Sequence, residues 1–427
     1  MSAEGFTAGP VANSGGNSGA TEVATSVASS VATSVATTPA ADRSALERLL
    51  TVEPVLAGLR RGDELMDWPA RTLLHAGPAF RGAPALPVAH SAAQAALFEG
   101  WVETLEEGLA AIAAGDIRLR PAQDHGCVTP LAAVISPSQW LQVVRDANGL
   151  GRPCHAPLNG GVQHAPRLGM AAPEALALLR WQNGAFAAGL APGYGAGIKL
   201  LEIADLALEA GDDCHGQTQA GSRELAARLR AAGAVVDGEG EAFLAASPGF
   251  FLSTWMAAAR CMLSAAEGVA GSALVTAIGG NGIDFGLRLA GAPQAWTTTT
   301  ATPPIGRLQE GWPAEACLPA IGDSAVVDAL GLGALCMHHS PAQTANLAGF
   351  MRMPSAALGE ALLGGLHPRL TRRAVRVGLS ARRVAESGLA LPVALGILDS
   401  NGIAGRVGGG IWHAPPELFK TALTTLP

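Results

Sequence analysis

Lysine is almost missing from this chain: of its 28 basic residues only Lys199 and Lys420 are lysines, so arginine carries nearly all the positive charge. Arginine suits planar carboxylate or phosphate recognition, although a genome-wide codon bias yields the same excess without any function. Tyr194 is the sole tyrosine, and aromatics make up 4% of the 427 residues against 49% hydrophobic residues, many of them alanine. Such a composition fits a globular chain built on close backbone packing and long enough for two or three domains.

Other absences exclude function classes. Neither lysine sits in a Gly-x-x-x-x-Gly-Lys-Ser/Thr loop, so there is no P-loop. No Gly-x-Ser-x-Gly elbow is present, which removes the simplest serine hydrolase. GGNGIDFG, at residues 279–286, is only a broken relative of the dinucleotide fingerprint and no helix follows it, so no nicotinamide cofactor is expected. A net charge of -7 argues against nucleic-acid binding, which needs clustered positive charge. The one cluster, Arg369, Arg372, Arg373, Arg376, Arg382 and Arg383, reads as a solvated or interface surface. The longest apolar stretch, Gly249 to Gly280, is interrupted by Arg260 and Glu267 before it reaches membrane-spanning length, and reads as a buried helix followed by a strand.

Residues 1–40 are rich in Ser, Thr, Ala, Gly and Val, with no basic n-region, no continuous apolar run and no transit-type arginines. They read as a disordered low-complexity tail rather than a targeting signal. The six scattered cysteines fit reduced thiols in the cytoplasm better than a disulfide scaffold.

The remaining pattern predicts an α+β, multi-domain chain: a mixed α/β region over 41–172, an inserted helical subdomain over 173–247 and an α+β region over 248–427. A helix starts at Asp42 or Ser44 as N-cap, a strand ends at His75, and residues 91–114 read as one helix. Three helices follow, Pro173 to Leu190, Ile198 to Ala210 and Ser222 to Ala232, and then a long one from Pro248 to Glu267. Strands flank Gly279-Gly-Asn-Gly282 in a hairpin whose loop is expected to be longer than two residues.

Polar, glycine-flanked turns carry what chemistry is visible. In GDDCHGQTQAG (Gly211 to Gly221), Gly211 ends one helix and Asp212 or Asp213 caps the next, yet two carboxylates beside an imidazole exceed what a cap requires. The pairs His125/Cys127, Cys154/His155 and Cys214/His215 offer zinc-type ligands, although not at the usual ligand spacing. Asn281 offers an amide in a tight turn, Asp323-Ser324 opens a helix, and GIAGRVGGG (Gly402 to Gly410) is a candidate backbone nest with Arg406 as charge partner.

Taken together, LLHAGP (Leu73 to Pro78), LFEGW (Leu97 to Trp101), HGCVTPLAAVISPS (His125 to Ser138), LNGGV (Leu158 to Val162), LRW (Leu179 to Trp181), GDDCH (Gly211 to His215), NGIDFG (Asn281 to Gly286) and GDSAVVDALGLG (Gly322 to Gly333) resemble, in order and spacing, the AllG (YlbE-like) subunit family of oxamate carbamoyltransferase. The resemblance covers the chain from about residue 45 onward. It implies transfer of a carbamoyl group between oxalurate and phosphate, giving oxamate and carbamoyl phosphate, in allantoin and purine nitrogen breakdown. It also implies an FdrA-like partner subunit and a further small subunit, with no metal and no cofactor; self-association is open. On that footing His125, Asp213 and His215 are catalytic candidates, Asp213 and His215 as a proton-handling pair. His75, Arg118, Asn159, Asn281, Asp323, Ser324 and Arg406 are candidates for binding the ureido or carbamoyl substrate and phosphate. The family usually carries an arginine soon after the histidine of GDDCH, where this chain has Gly216-Gln217-Thr218-Gln219, so the ureido acid it takes is open. Two other readings stand beside this one: a zinc-dependent amidohydrolase, and a noncatalytic structural subunit of an FdrA-like complex.

Overall fold

A computed structural model describes residues 38–427; the low-complexity tail read at residues 1–40 lies almost wholly outside them. Pro39–Pro427 form one compact unit. The class is α+β with several small sheets, and among the described residues every pairing between strands is antiparallel except that of β2 (Thr72–His75) with β3 (Arg118–Pro121), apart from a single parallel bridge between Cys127 and His155. Among the described residues no doubly wound parallel sheet forms, in keeping with the irregular alternation of elements.

One sheet runs β5-β4-β1-β6, from Cys154–Pro157 (β5), Trp140–Asp146 (β4), Pro54–Arg61 (β1) and Ile198–Lys199 (β6). A second runs β11-β7-β8-β9, from Ile321–Gly322 (β11), Val275–Asn281 (β7), Asp284–Leu289 (β8) and Ala292–Thr300 (β9). The helix Phe250–Ser264 packs against β1, β4, β5 and β7, and thus against both sheets. It has fifteen residues without Gly or Pro, and all but Leu252 are buried. A helix apolar all round belongs inside a core, and its one charge, Arg260, pairs with Glu267 at 2.6 Å.

The third sheet, β10-β15-β14, uses Ile305–Leu308 (β10), Arg406–Ala414 (β15) and Leu391–Leu398 (β14). The GIAGRVGGG stretch is therefore a strand at its glycine end and not a nest. Gly408 and Gly410 are extended in the central strand, paired on both sides, and a Cβ there would come within 2.4 Å of the Arg307 carbonyl oxygen and 2.5 Å of that of Ile305. The last pair is β12 (Leu363–Leu366) with β13 (Arg376–Leu379).

Several boundaries differ from the sequence reading for identifiable reasons. The helix expected over 91–114 is two helices, Leu86–Phe98 and Leu105–Ala114, because Thr104 caps the second by accepting from the Glu107 N–H at 3.1 Å while Glu107 reaches back to the Glu103 N–H. The sequence has the capping-box pattern Thr-x-x-Glu, with the return bond made to the residue before the cap. The first helix, Ala40–Thr51, begins before Asp42, whose carboxylate instead accepts from Ser272 and the Ala273 N–H. The β7–β8 link is two residues, Gly282 and Ile283, shorter than expected: Asn281 Oδ1 accepts the N–H groups of Ile283 and Asp284 and closes the turn. The helix read from Pro173 to Leu190 widens into a π turn over Gln182–Phe186.

Candidate functional site

The turns singled out in the sequence do not all meet. A cavity of about 510 Å³ gathers Asn159, His215, Ser324 and Arg406 from that set, together with Arg167, Arg307, Gln217, Thr218, Gln343 and Asn346. Three glycine-flanked segments wall it: the LNGGV loop after β5, the loop at Gly211–Thr218 and the start of the helix Ala325–Leu330. β14 and β15 close another side. No Asp or Glu is among its lining residues, whereas three arginines are.

The GDDCH loop is shaped by its own carboxylates. Asp212 Oδ2 accepts from the Gly221 N–H at 2.9 Å, satisfying a free donor in the first turn of the helix Gln219–Ala231. Asp213 Oδ1 accepts from the N–H groups of His215 at 2.9 Å and Gln217 at 2.8 Å, while its Oδ2 is buried without a partner. Burial raises the pKa of Asp213, and pushes that of Asp212 up to about 6.

The side-chain partner of His215 is Asp328. The imidazole Nδ1 lies 2.7 Å from Asp328 Oδ2, an ion-pair approach rather than an aligned hydrogen bond, and Asp328 Oδ1 accepts from the Ala334 N–H at 3.0 Å. Burial pulls the pKa of His215 down, but the carboxylates of Asp328 and Asp213 outweigh it and the net shift is upward. With Nδ1 facing Asp328, Nε2 is the ring nitrogen left for the cavity. Gly333 permits this approach: at its φ of 59° a Cβ would sit 2.6 Å from Asp328 Oδ1 and 2.9 Å from His215 Cβ.

The other candidates lie elsewhere. Asp323 is fully buried, accepting from the Gly77 N–H at 2.9 Å, Gln123 Nε2 at 2.7 Å and the Thr129 N–H at 3.0 Å; burial raises its carboxyl to about 7 against those donors. It fastens the LLHAGP and HGCVTP turns to the start of the Ala325–Leu330 helix. Asn281 is committed to its turn and to the Pro78 carbonyl. His75 is buried against the Ala76 carbonyl, and burial lowers its pKa to about 4. His125 ends a 3₁₀ turn and Arg118 is exposed on β3, and neither lines the cavity.

Arg167 and Arg307 carry no mark in the sequence reading, and Asp328 lies in the GDSAVVDALGLG stretch without being singled out. Asp328 had one available signal, a lone carboxylate in the otherwise apolar helix AVVDAL. Among the described residues, no group of three or more His, Cys, Asp or Glu is placed to share a metal ion. The thiols of Cys127, Cys154 and Cys214 are buried, and burial raises their pKa values, that of Cys154 to about 12. In the arginine cluster, Arg369, Arg372 and Arg382 pair with Glu53, Glu209 and Asp42.

These features define an α+β protein whose converging loops enclose a carboxylate-free, arginine-lined cavity with a carboxylate-backed histidine. The chain belongs to the AllG family: residues 117–324 match the family described as oxamate carbamoyltransferase subunit AllG. It is 30% identical over 405 residues to the uncharacterized protein YahG of Escherichia coli (strain K12), spanning 90% of this chain and 85% of that protein. It is 28% identical over 402 residues to the oxamate carbamoyltransferase subunit AllG of the same strain, spanning 90% and 94%. The crystal structure of a conserved protein of unknown function from Enterococcus faecalis V583 superposes with a TM-score of 0.83 at 26% identity, over 90% of this chain and 96% of that one.

Proposed function

We propose that this chain is a subunit of a carbamoyltransferase that moves a carbamoyl group between a small ureido acid and phosphate: oxalurate plus phosphate to oxamate plus carbamoyl phosphate, or the reverse. The observation that carries the reading is the cavity, in which Arg167, Arg307 and Arg406 face a common space with His215 and no lining carboxylate. Both substrates are anions, and a site without acidic residues holds them without like-charge repulsion. Its volume, about 510 Å³, suits two small molecules side by side.

The chemistry assigns roles in turn. A phosphate oxygen attacks the carbamoyl carbon, the carbon–nitrogen bond to the oxamate nitrogen breaks, and that nitrogen takes up a proton. His215 Nε2 donates it, with Asp328 supporting the imidazolium. The developing oxyanion is met by the amides of Asn159, Gln343 or Asn346, which line the same space. An FdrA-like subunit and a further small subunit complete the enzyme in the cytoplasm, where it serves nitrogen recovery from allantoin and purines.

The test is a phosphorolysis assay of oxalurate and related ureido acids, with and without the neighbouring subunits co-expressed. Phosphate-dependent release of carbamoyl phosphate is expected in the complex, and His215→Ala is expected to lower kcat by about 10²- to 10⁴-fold. No phosphate-dependent turnover of any ureido compound in either preparation would sink the reading. A complex that keeps full activity with His215→Ala would place the proton transfer on a partner.

A further inference from the structure

Some arginines of this fold hold a carboxylate, whereas the three that line the cavity, Arg167, Arg307 and Arg406, do not among the described residues. Arg260 pairs with Glu267, Arg288 with Asp124, and the half-buried Arg61 and Arg228 and the exposed Arg230 also have acidic partners. Arg167 has no carboxylate partner among the described residues, and its side chain is half-buried. Its Nη1 donates to Asn159 Oδ1 at 2.8 Å and the Gly160 carbonyl at 2.9 Å, and its Nη2 to the Gly161 carbonyl at 2.6 Å. These neutral acceptors fix the plane of the guanidinium without cancelling its charge. A guanidinium has five N–H groups, so Nε–H and one N–H of Nη2 are left over. Those two nitrogens form one edge of the fork, which is the edge that takes a carboxylate in bidentate fashion. Nε is not among the buried atoms left without a partner, and Arg167 lines the cavity, so this edge is the one available to a ligand there.

The charge balance points the same way. Burial and then the nearby Arg406 lower the pKa of Arg167 to about 10, which marks it as a cation held in place without compensation. Buried charges are normally paired, because an unpaired one is costly. A small anion entering the cavity supplies the missing partner.

We propose that Arg167 is the specificity-determining residue of this cavity, receiving the planar carboxylate of the ureido acid on its Nε/Nη2 edge while Arg406 and Arg307 serve the second anion. The inference rests on the reading of the cavity as a carbamoyl-transfer site. Asn159 acts through Arg167: its Oδ1 holds the guanidinium, and its amide nitrogen remains as a donor beside the bound group.

Calorimetric titration of the full-length chain with oxamate, with oxamide and with inorganic phosphate tests it. Oxamide is the neutral diamide of nearly the same size and shape. Wild type is expected to bind oxamate at least about 10-fold more tightly than oxamide, the scale of one charge-assisted pair. Arg167→Met should bring oxamate down to the oxamide level while phosphate binding persists, and Arg406→Met should do the reverse. Because Arg167 also braces the Asn159–Gly161 loop, Arg167→Lys is measured alongside, with melting curves for each variant. A folded Lys variant should keep weak oxamate binding below wild type.

Three outcomes overturn the assignment: wild type that fails to bind oxamate, wild type that does not separate oxamate from oxamide, or both Met variants losing both ligands equally. Crossed selectivity without turnover in the subunit complex would sink the transferase reading and leave Arg167 standing. Turnover by an Arg167→Met complex with an unchanged KM for the ureido acid would do the opposite.

Discussion

His215 works as a proton carrier only if something holds its ring and keeps the protonated form accessible inside a buried pocket. Asp328 does both from one oxygen, while its other oxygen is anchored to the Ala334 N–H. Asp328→Asn removes the larger of the two carboxylate effects that raise the His215 pKa, leaving Asp213 to oppose burial. The pH-rate limb that reports protonated His215 is expected to move toward acid, with kcat falling and KM for the ureido acid little changed. A pH profile of the assembled enzyme decides it, since loss of packing alone would lower activity without moving the limb. The sign for stability follows from the same shift. A raised folded pKa adds stability that is fully present below the unfolded value and lost as pH rises through the folded one. The gap between wild type and Asp328→Asn, about 3–5 kcal/mol for a broken buried pair, should therefore be widest at acid pH in urea titrations.

Asp323 carries a second pH effect, separate from the cavity. Its carboxyl titrates near 7 in the fold against about 3.8 when exposed, so the folded state binds the extra proton between those values. Stability from this group declines as pH rises from about 4 to 7. Asp323→Asn should flatten that slope, and because an amide N–H₂ would face the Thr129 N–H it should also cost about 1–3 kcal/mol. Unfolding midpoints measured from pH 4 to 8 separate the two effects; an unchanged slope in the variant would show that Asp323 does not titrate in this range.

At the scale of elements, the helix Phe250–Ser264 is the test of how the core is made. Trp255 is fully buried and stacks on Phe251 with ring centroids 5.7 Å apart. Trp255→Ala is expected to cost about 3–5 kcal/mol, read as a lower urea midpoint. This helix was legible in the sequence because an apolar run without Gly or Pro has few other destinations. The β7–β8 hairpin was legible too, but its length was not, since the turn is closed by the Asn281 side chain and not by a residue-pair rule. The Leu86–Ala114 region was misjudged for a similar reason: Thr104-Leu105-Glu106-Glu107 is a start signal inside an otherwise continuous helical pattern. Local capping chemistry thus set boundaries that periodicity alone passes over. For the cavity, the loops bearing Asn159, His215, Ser324 and Arg406 were visible as polar turns. Their convergence, and the Asp328 carboxylate brought to His215 from a distant segment, depends on tertiary packing that spacing along the chain does not encode.

On the whole-molecule scale the cavity couples ligand to fold. Three guanidiniums face one space without an acidic lining residue, and Arg406 depresses the pKa of Arg167, so the empty state carries repulsion that an anion relieves. Any ligand that binds only the folded chain stabilises it by mass action, by about 2.7 kcal/mol at a concentration 100 times its Kd. Phosphate and oxamate are each expected to raise the melting temperature, and together to raise it further, because the reading gives them different arginines. General ionic strength acts on the same repulsion through screening, over a Debye length of about 10 Å at 0.1 M salt. Chloride at matched ionic strength is therefore the control: it should raise the melting temperature less than phosphate. Arg406→Met should abolish the phosphate increment while keeping that of oxamate. Equal stabilisation by chloride and phosphate would mean that screening, not a site, accounts for the effect. An oxamate increment that survives only in the absence of phosphate would mean that the two anions compete for a single place, which a two-substrate transfer does not permit.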